Sequence, residues 1–318
     1  MQRVAAKFLL FFLCTSIYGL AAADGPWYTG PLLAPAGHTI PKGHTNFEPY
    51  AFITDNDGIF NRYWRLTHVP HSNSVVGNPI FTHGLTDSMD IQYSLPYSYN
   101  RQKSREYEHI SDVSAILGYQ LIEQGKSKWR PDLRVTLQEI FPTGKYKGLN
   151  PLNNGIDATG LGSYQTGVNL NFQHRLQFSE INYLRTRLSI AYLVPLDVNL
   201  RGITSFGGNP DTFGRIDPGN MFSIDLAGEF NLTQNWVAVM EGYYATRQGT
   251  KFRGYPGFNS KGNAETIGHG LVEEITLAPA IEYNFNENVG IIGGYWFSLT
   301  GRDTVDFKSI VIALNIFM

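Results

Sequence analysis

Apolar and polar side chains alternate with a period of two along much of this chain. From Ser88 to Tyr97 every odd position is apolar, and every even position except Pro96 is polar. A repeat of two is the repeat of a β-strand, whereas an amphipathic helix repeats its apolar positions at intervals of three and four. Strands are therefore predicted here and in further segments with the same alternation: 112–121, 164–173, 184–192, 222–230, 274–283 and 310–318.

The connections between these segments differ in length. The short ones are 83–87, 177–180, 231–234 and 286–288. The longer ones, rich in Gly, Asn and Pro, are 54–72, 142–161, 195–218 and 247–269. A soluble β-sandwich also alternates, but short turns at one end and long loops at the other are typical of outer-membrane barrels. The pattern predicts an all-β fold, a transmembrane antiparallel β-barrel of about 12 strands, from 45–53 to 307–318, with both ends in the periplasm.

The N-terminus predicts export. Arg3 and Lys7 precede an apolar run, and small residues lead up to Ala23 and Asp24, which is typical of a signal peptide cleaved between these two residues. We expect a signal peptide over 1–23, an extended lead-in over 24–43 and the barrel over 44–318. Its stretch from Gly30 to Gly43 contains Pro31, Pro35 and Pro41, and it either plugs the periplasmic mouth or is loose. The only cysteine, Cys14, lies in the signal peptide, so the mature chain has no thiol.

Composition narrows the classes of partner. Charged residues are 16% and aromatic residues 14%, as expected for a barrel with a lipid-facing exterior. Signal removal takes two bases and no acid, which moves the formal charge from −2 to about −4 and does not favour nucleic acid. The Gly-rich loops lack a phosphate-binding motif, and the histidines lack compact metal spacing. We expect no cofactor, metal or nucleic acid, and as partners the outer-membrane lipid and a small-molecule solute.

The polar register supplies the candidate lining of the lumen. Two interpretations remain open, because these residues either form a charged wall that selects solutes or pair with one another and fill a narrow interior. The candidate residues are Asp90, Gln92, Asp112, Arg134, Gln165, Asn169, Arg185, Arg187, Asp225, Glu229, Glu241, Glu274 and Glu282.

Two residues depart from the register. Glu139 lies among apolar positions, so we expect it at the rim or after a bulge. Pro279 interrupts the segment 274–285, where a second bulge is expected because proline donates no ladder hydrogen bond.

The last strand ends at the last residue, with Phe317 beside Met318. Such a strand is similar to the assembly signal of outer-membrane proteins and predicts contact with the outer-membrane assembly machinery. Most such proteins end in Phe, and here Phe is the second residue from the end.

Two other functions stay open at this stage. His71 and Ser74 carry the residue types of a barrel-borne lipid hydrolase, in which a histidine acts as general base to a serine. Their spacing differs from the usual His-x-Ser, and a polar end of an outer loop is the plainer interpretation. Long outer loops also fit a structural or adhesive barrel. We expect no enzyme and assign no catalytic residue.

Short stretches in 40–318 resemble the outer-membrane family labelled for the meta-pathway of phenol degradation. They are Gly84-Leu85-Thr86-Asp87, Leu95-Pro96-Tyr97, Pro142-Thr143-Gly144, Gly160-Leu161-Gly162-Ser163-Tyr164, Pro218-Gly219 and Leu299-Thr300-Gly301. The resemblance implies a barrel that moves aromatic or other hydrophobic compounds across the outer membrane. It implies no enzyme of phenol chemistry. The expected function is passive diffusion of a small hydrophobic or aromatic solute through a channel.

Overall fold

A computed structural model describes residues 26–125, 127–179 and 182–318. The predicted signal peptide, with its cleavage between Ala23 and Asp24, lies outside the described residues. None of the described helices is long and apolar enough to cross a membrane.

The described chain is built almost entirely of β-strands, with one 3₁₀ turn at Pro151–Asn153. The strands are Thr45–Phe60 (β1), Leu66–Thr86 (β2), Met89–Ser94 (β3), Tyr97–Gln102 (β4), Arg105–Ile110 (β5), Val113–Ile122 (β6), Asp132–Phe141 (β7), Gln165–Gln177 (β8), Tyr183–Pro195 (β9), Val198–Arg201 (β10), Phe213–Asp217 (β11), Met221–Asn231 (β12), Trp236–Arg247 (β13), Lys251–Tyr255 (β14), Val272–Leu277 (β15), Ala280–Asn284 (β16), Val289–Arg302 (β17) and Thr304–Phe317 (β18).

Fifteen of these strands close into one antiparallel barrel. β3 and β4 both pair with β2, and β5 and β6 continue one another beside them, so each of these two couples forms a single barrel strand with a short break. β15 and β16 form a third such couple between β13 and β17. β1 pairs with β2 on one side and β18 on the other, which closes the ring. The predicted all-β barrel of 12 strands is confirmed.

Alternation along each strand separates an apolar exterior from the interior. In β12, Leu226 is 57% exposed on the outer face, while its neighbour Ala227 is 2% exposed on the inner face. A carboxylate on the same inner register, Glu229, is fully buried. Apolar side chains are thus left bare on the outside while acids are enclosed, the reverse of a water-soluble fold and the arrangement of a barrel surrounded by lipid.

The expected outer loop over 54–72 is wrong. β1 continues to Phe60 and β2 begins at Leu66, and their ladder runs on with an irregularity at Gly58. Only the turn at 61–65 connects them, closed by the hydrogen bonds that Asn61 exchanges with Trp64 and Arg65. Backbone pairing defines these strand ends, although their side chains are too polar to show the alternation of a lipid-facing segment.

The two exceptions to the register have different outcomes. Glu139 lies on the outer face near the end of β7, where it accepts a hydrogen bond of 2.7 Å from the Thr166 hydroxyl, and its pairing is regular. It is therefore at the rim. The bulge expected at Pro279 is wrong: the ladder is interrupted there, but Leu277 and Ala280 keep one register with β17, opposite Phe297 and Gly294.

The outer loops carry a second, smaller sheet. β10 follows β9, β11 precedes β12 and β14 follows β13, each at the outer end of the barrel strand. The three pair in the order β10-β11-β14. Val198, Leu200 and Ile216 form its buried face and pack on Phe206. We call β10, β11 and β14 the outer sheet. It continues part of the barrel wall outward and is closed on its inner side by its own apolar core.

Replacing Leu226 by Arg should lower the free energy of unfolding from lipid vesicles by about 2–4 kcal/mol, because a guanidinium would face hydrocarbon near mid-strand. Urea titration of the vesicle-bound protein measures this change. The matched variant Leu232→Arg lies in the turn after β12 and should cost about 0–1 kcal/mol. Equal losses in the two variants would contradict the placement of this face in lipid.

Candidate functional site in the barrel lumen

The stretch that precedes β1 lies inside the barrel. We call residues 26–43 the N-terminal segment. Leu32 is only 3% exposed and packs against inner-wall residues of β13, β17 and β18. The segment then crosses the lumen and leaves it at the periplasmic rim, where Lys42 and Gly43 pair with Gly84. Of the two alternatives for the lead-in, the structure therefore has the plug.

Acids and amides of the wall hold the backbone of this segment. Glu282 accepts a hydrogen bond of 2.8 Å from the amide of Thr29, and Glu241 accepts from the amides of Leu33, at 3.1 Å, and Ala34. On the other side of the lumen, Gln120 and Asp90 accept from Thr39 and Ile40, at 2.7 and 3.1 Å. An irregular chain inside a barrel has no ladder partners, so its amides need acceptors from the wall.

Arginines pair with two acids of the inner wall, Asp90 and Glu229. Arg134 donates to Asp90 at 2.5 Å, and both side chains are buried. Arg185 donates to both oxygens of Glu229, and the ring of Tyr28 lies 4.1 Å from its guanidinium.

Arg187 links this cluster to the segment. It lies 3.4 Å from the same Glu229 and donates to the carbonyl of Ala34 at 3.0 Å. The buried arginines are therefore paired with Asp90 and Glu229 and with the segment. Removing one partner of such a pair would leave the other charge buried without a counterion.

The predicted lumen residues fall into two groups. Ten are buried on the inner face, and they are Asp90, Arg134, Gln165, Asn169, Arg185, Arg187, Asp225, Glu229, Glu241 and Glu282. Three are half-buried: Gln92, Asp112 and Glu274. Asp112 accepts the amides of Gly144 and Leu161, so it anchors the outer loop 142–164.

The alternation of apolar and polar residues did not predict the apolar half of the interior. Val237, Val239, Ile292, Val311 and Ala313 line the inner face of β13, β17 and β18 and surround Leu32. In β18 both registers are apolar, so alternation alone does not reveal which one faces inward. Only the strand pairing distinguishes them.

Four aromatic side chains continue this apolar half along the inner wall. We call Tyr50, Phe52, Trp296 and Phe307 the aromatic track. Successive ring centroids are 5.8, 6.3 and 4.6 Å apart. The indole of Trp296 donates to the Thr276 hydroxyl at 2.8 Å, which satisfies its polar atom and fixes the ring. Tyr50, Phe52 and Trp296 also pack against the cluster around Leu32, so the track reaches the N-terminal segment.

Space remains beside the segment. A cavity of about 380 Å³ lies between the segment and the wall, lined by residues of both that include Tyr28, His38, Glu48 and Tyr50. Its volume is at the small end of the range for ligand pockets, and its lining is mixed rather than purely polar. The paired charges Asp90, Arg134, Arg185 and Arg187 line it together with apolar side chains such as Leu33, so the cavity borders both kinds of wall.

The residues of the alternative hydrolase do not form a catalytic arrangement. His71 and Ser74 lie on β2, not at the end of a loop, and His71 contacts Asp55 at 3.1 Å with both side chains exposed. No hydrogen bond joins His71 to Ser74 in the described part of the chain. Within those residues no group of three or more His, Asp or Glu side chains is arranged to hold a metal.

Comparison with known proteins supports the fold. No protein-family model matches the chain, and no curated protein matches it in sequence. Among solved structures, an outer membrane channel from Pseudomonas putida F1 matches with a TM-score of 0.67 and 14% identity, over 89% of this chain and 98% of that one.

Two further barrels superpose less well. A deletion mutant of the TodX monoaromatic hydrocarbon channel has a TM-score of 0.43 and 12% identity, over 92% of this chain and 96% of that one. The NanC porin has a TM-score of 0.44 and 9% identity, over 85% and 98%. At these identities the likeness is one of fold, and the fold shared with the first structure is that of an outer-membrane β-barrel.

Removing the carboxyl group of Glu241 should loosen the N-terminal segment. Each lost hydrogen bond is worth about 0.5–1.5 kcal/mol net, so in Glu241→Ala the amides of Leu33 and Ala34 should exchange with deuterium roughly two to ten times faster. Glu241→Gln, which keeps one acceptor oxygen, should lie between. Glu273→Ala, on the outer face beside Arg302, serves as control and should change nothing in the segment. Unchanged exchange in Glu241→Ala would contradict the described contacts.

Proposed function

We propose that this protein is an outer-membrane channel through which small apolar or aromatic solutes diffuse passively. The observation that carries the proposal is the aromatic track, which runs along the inner wall to Leu32 and the cavity beside it. Apolar side chains inside a barrel are costly for a water-filled pore and favourable for a solute that sheds its own hydration on entry.

The polar half of the lumen argues against a wide hydrophilic pore. Its charges are engaged with one another, as in Arg134 with Asp90 and Arg185 with Glu229, and with the backbone of the segment. A hydrophilic solute would have to replace these buried pairs, whereas an apolar solute can pass the other half without disturbing them.

The N-terminal segment is part of the proposed path. Leu32 closes the apolar half at the level of Val239 and Val311. A solute that follows the aromatic track therefore has to pass this side chain. The segment has no ladder of its own and is attached by individual hydrogen bonds, so local displacement at Leu32 costs far less than opening the barrel wall. We propose that such displacement admits the solute.

The surroundings follow from the same proposal. The signal peptide over 1–23 directs export, and the C-terminal strand β18 is recognised by the outer-membrane assembly machinery. The outer face contacts membrane lipid. The solute class is that implied by the resemblance to the family labelled for the meta-pathway of phenol degradation, namely aromatic or other hydrophobic compounds. None of these roles requires an enzyme.

The proposal predicts that Trp296→Ala lowers the flux of a monoaromatic solute such as toluene into protein-loaded vesicles several-fold, because one ring of the track is removed. The flux of a small sugar should not fall. The neighbour Tyr295 points to the opposite, lipid-facing side, so Tyr295→Ala is a matched control and should leave both fluxes unchanged.

Deleting residues 26–40 gives a second arm for the same assay. Without Leu32 and the hydrogen-bonded backbone, the flux of both solutes should rise. A barrel that passes neither solute, with or without the segment, would contradict the channel. A toluene flux equal in Trp296→Ala and in the unaltered protein would contradict the aromatic track as its path.

A further inference from the structure

The outer sheet presents a cationic face to the membrane exterior. Side chains alternate across its strands, so Val198, Leu200 and Ile216 point inward while the opposite register points out. The outward side chains include four cations and two acids, and they are Arg201, Arg215, Lys251, Arg253, Asp197 and Asp217. A cleft of about 240 Å³ lies among five of them.

The pairing of this face leaves positive charge unbalanced. Arg215 and Arg253 are directly opposite on neighbouring strands, where like charges are destabilising. Asp197 lies 2.7 Å from Arg215, and Asp217 lies 3.9 Å from Lys251. Among the described residues no carboxylate lies within ion-pair distance of Arg253. An anion between the two arginines would remove the repulsion and use their fork-shaped donors.

The cationic face lies directly above the lipid-facing wall. β9 runs into β10, and its outward residues Tyr192 and Val194 are exposed, as is Leu196 just after it. The phenol of Tyr192 accepts a hydrogen bond of 2.7 Å from Asn220, just below β11. A tyrosine with a polar partner at the end of an apolar stripe is typical of the membrane interface. The cations of the outer sheet, which lie just beyond this interface along the strands, therefore face the headgroup layer.

Aromatic rings stand one step farther from the membrane. Phe213 and Tyr255 are opposite each other with ring centroids 5.5 Å apart, and Phe258 lies 5.9 Å beyond Tyr255. Phe213 is 59% exposed. Two residues along a strand correspond to about 7 Å, so this exposed aromatic layer lies about one sugar ring above the arginines.

We propose that the outward face of the outer sheet binds a phosphorylated glycolipid of the outer leaflet, the lipopolysaccharide class. Arg215, Arg253 and Lys251 take the phosphates near the bilayer surface, and Phe213 and Tyr255 stack against the sugars that extend from it. The order of charge and ring from the membrane outward matches a lipid whose phosphates lie below its sugars. This site is on the opposite side of the wall from the lumen and does not depend on the proposed channel.

The test measures binding of bis-phosphorylated lipid A to the full mature protein in detergent. The triple variant Arg215→Gln, Lys251→Gln, Arg253→Gln should bind at least about tenfold more weakly, since it loses charge-assisted hydrogen bonds. A control with the same loss of charge, Arg62→Gln, Arg65→Gln, Lys103→Gln, alters exposed tips elsewhere on the outer end and should bind within about twofold of the unaltered protein. Circular dichroism and heat-modifiable migration verify folding of both.

Two further probes identify the source of the phosphate. Dephosphorylated lipid A should bind as weakly to the unaltered protein as lipid A does to the triple variant, and inorganic phosphate at millimolar concentration should not displace lipid A. Full binding by the triple variant, an equal loss in the control, equal affinity for dephosphorylated lipid A or complete displacement by inorganic phosphate would each overturn the proposal.

A separate variant tests the sugar contact. Phe213→Ala with Tyr255→Ala should weaken binding of lipopolysaccharide that carries inner-core sugars more than binding of lipid A. An equal effect on the two would overturn stacking as the role of these rings.

Discussion

Backbone hydrogen bonding in hydrocarbon is the constraint on which the rest of this molecule depends. A strand in lipid has no water for its free amides and carbonyls, so the sheet must have no open edge. β1 meets this requirement by pairing with β2 on one side and β18 on the other over nearly its whole length. Once the ring is closed, alternate side chains are divided between lipid and lumen, and the apolar exterior follows.

Closure also determines what fills the interior. A ring of 12 strands lies between the eight-stranded barrels that their own side chains fill and the porins of 16–18 strands with an aqueous channel. The N-terminal segment occupies the remaining space, and its unpaired amides explain why buried acids such as Glu241 and Glu282 are on the inner wall. Asp90 and Glu229 are paired with arginines of β7 and β9, whereas Glu241 and Glu282 border the apolar side chains of β13 and β17. Beyond these two acids, the inner face of β13, β17 and β18 is lined by apolar and aromatic side chains.

Much of the barrel could be predicted from the sequence because one rule governs it. Where the outside is apolar and the inside polar, as in Ser88–Tyr97, the period of two identifies both the strand and its faces. The same rule fails where the inside is also apolar, as for Val311 and Ala313, or where strands extend beyond the lipid, as in 54–72. Strand pairing decides these cases, and pairing is not visible in a single chain's alternation.

The candidate site was predictable in part for the same reason. The polar register identified the charged residues as candidates for the lumen. Nothing in the local sequence indicated that Glu229 would be shared by Arg185 and Arg187, or that Glu241 would accept hydrogen bonds from Leu33 and Ala34. The aromatic track was hidden, because Trp296 and Tyr295 are adjacent aromatics and the sequence gives no reason to separate them. The outer sheet depends on contacts between two loops distant in sequence.

The placement of Trp296 in the lumen is tested most directly by comparison with Trp236, which begins β13 and is 43% exposed on its outer face. Each can be kept as the single tryptophan by changing the other four to Phe, since the chain has five. In vesicles that contain brominated phospholipid, the account predicts strong fluorescence quenching of Trp236 and little quenching of Trp296. Equal quenching of the two by brominated chains would contradict it, because Trp296 would then face hydrocarbon and the inner wall would have no aromatic path.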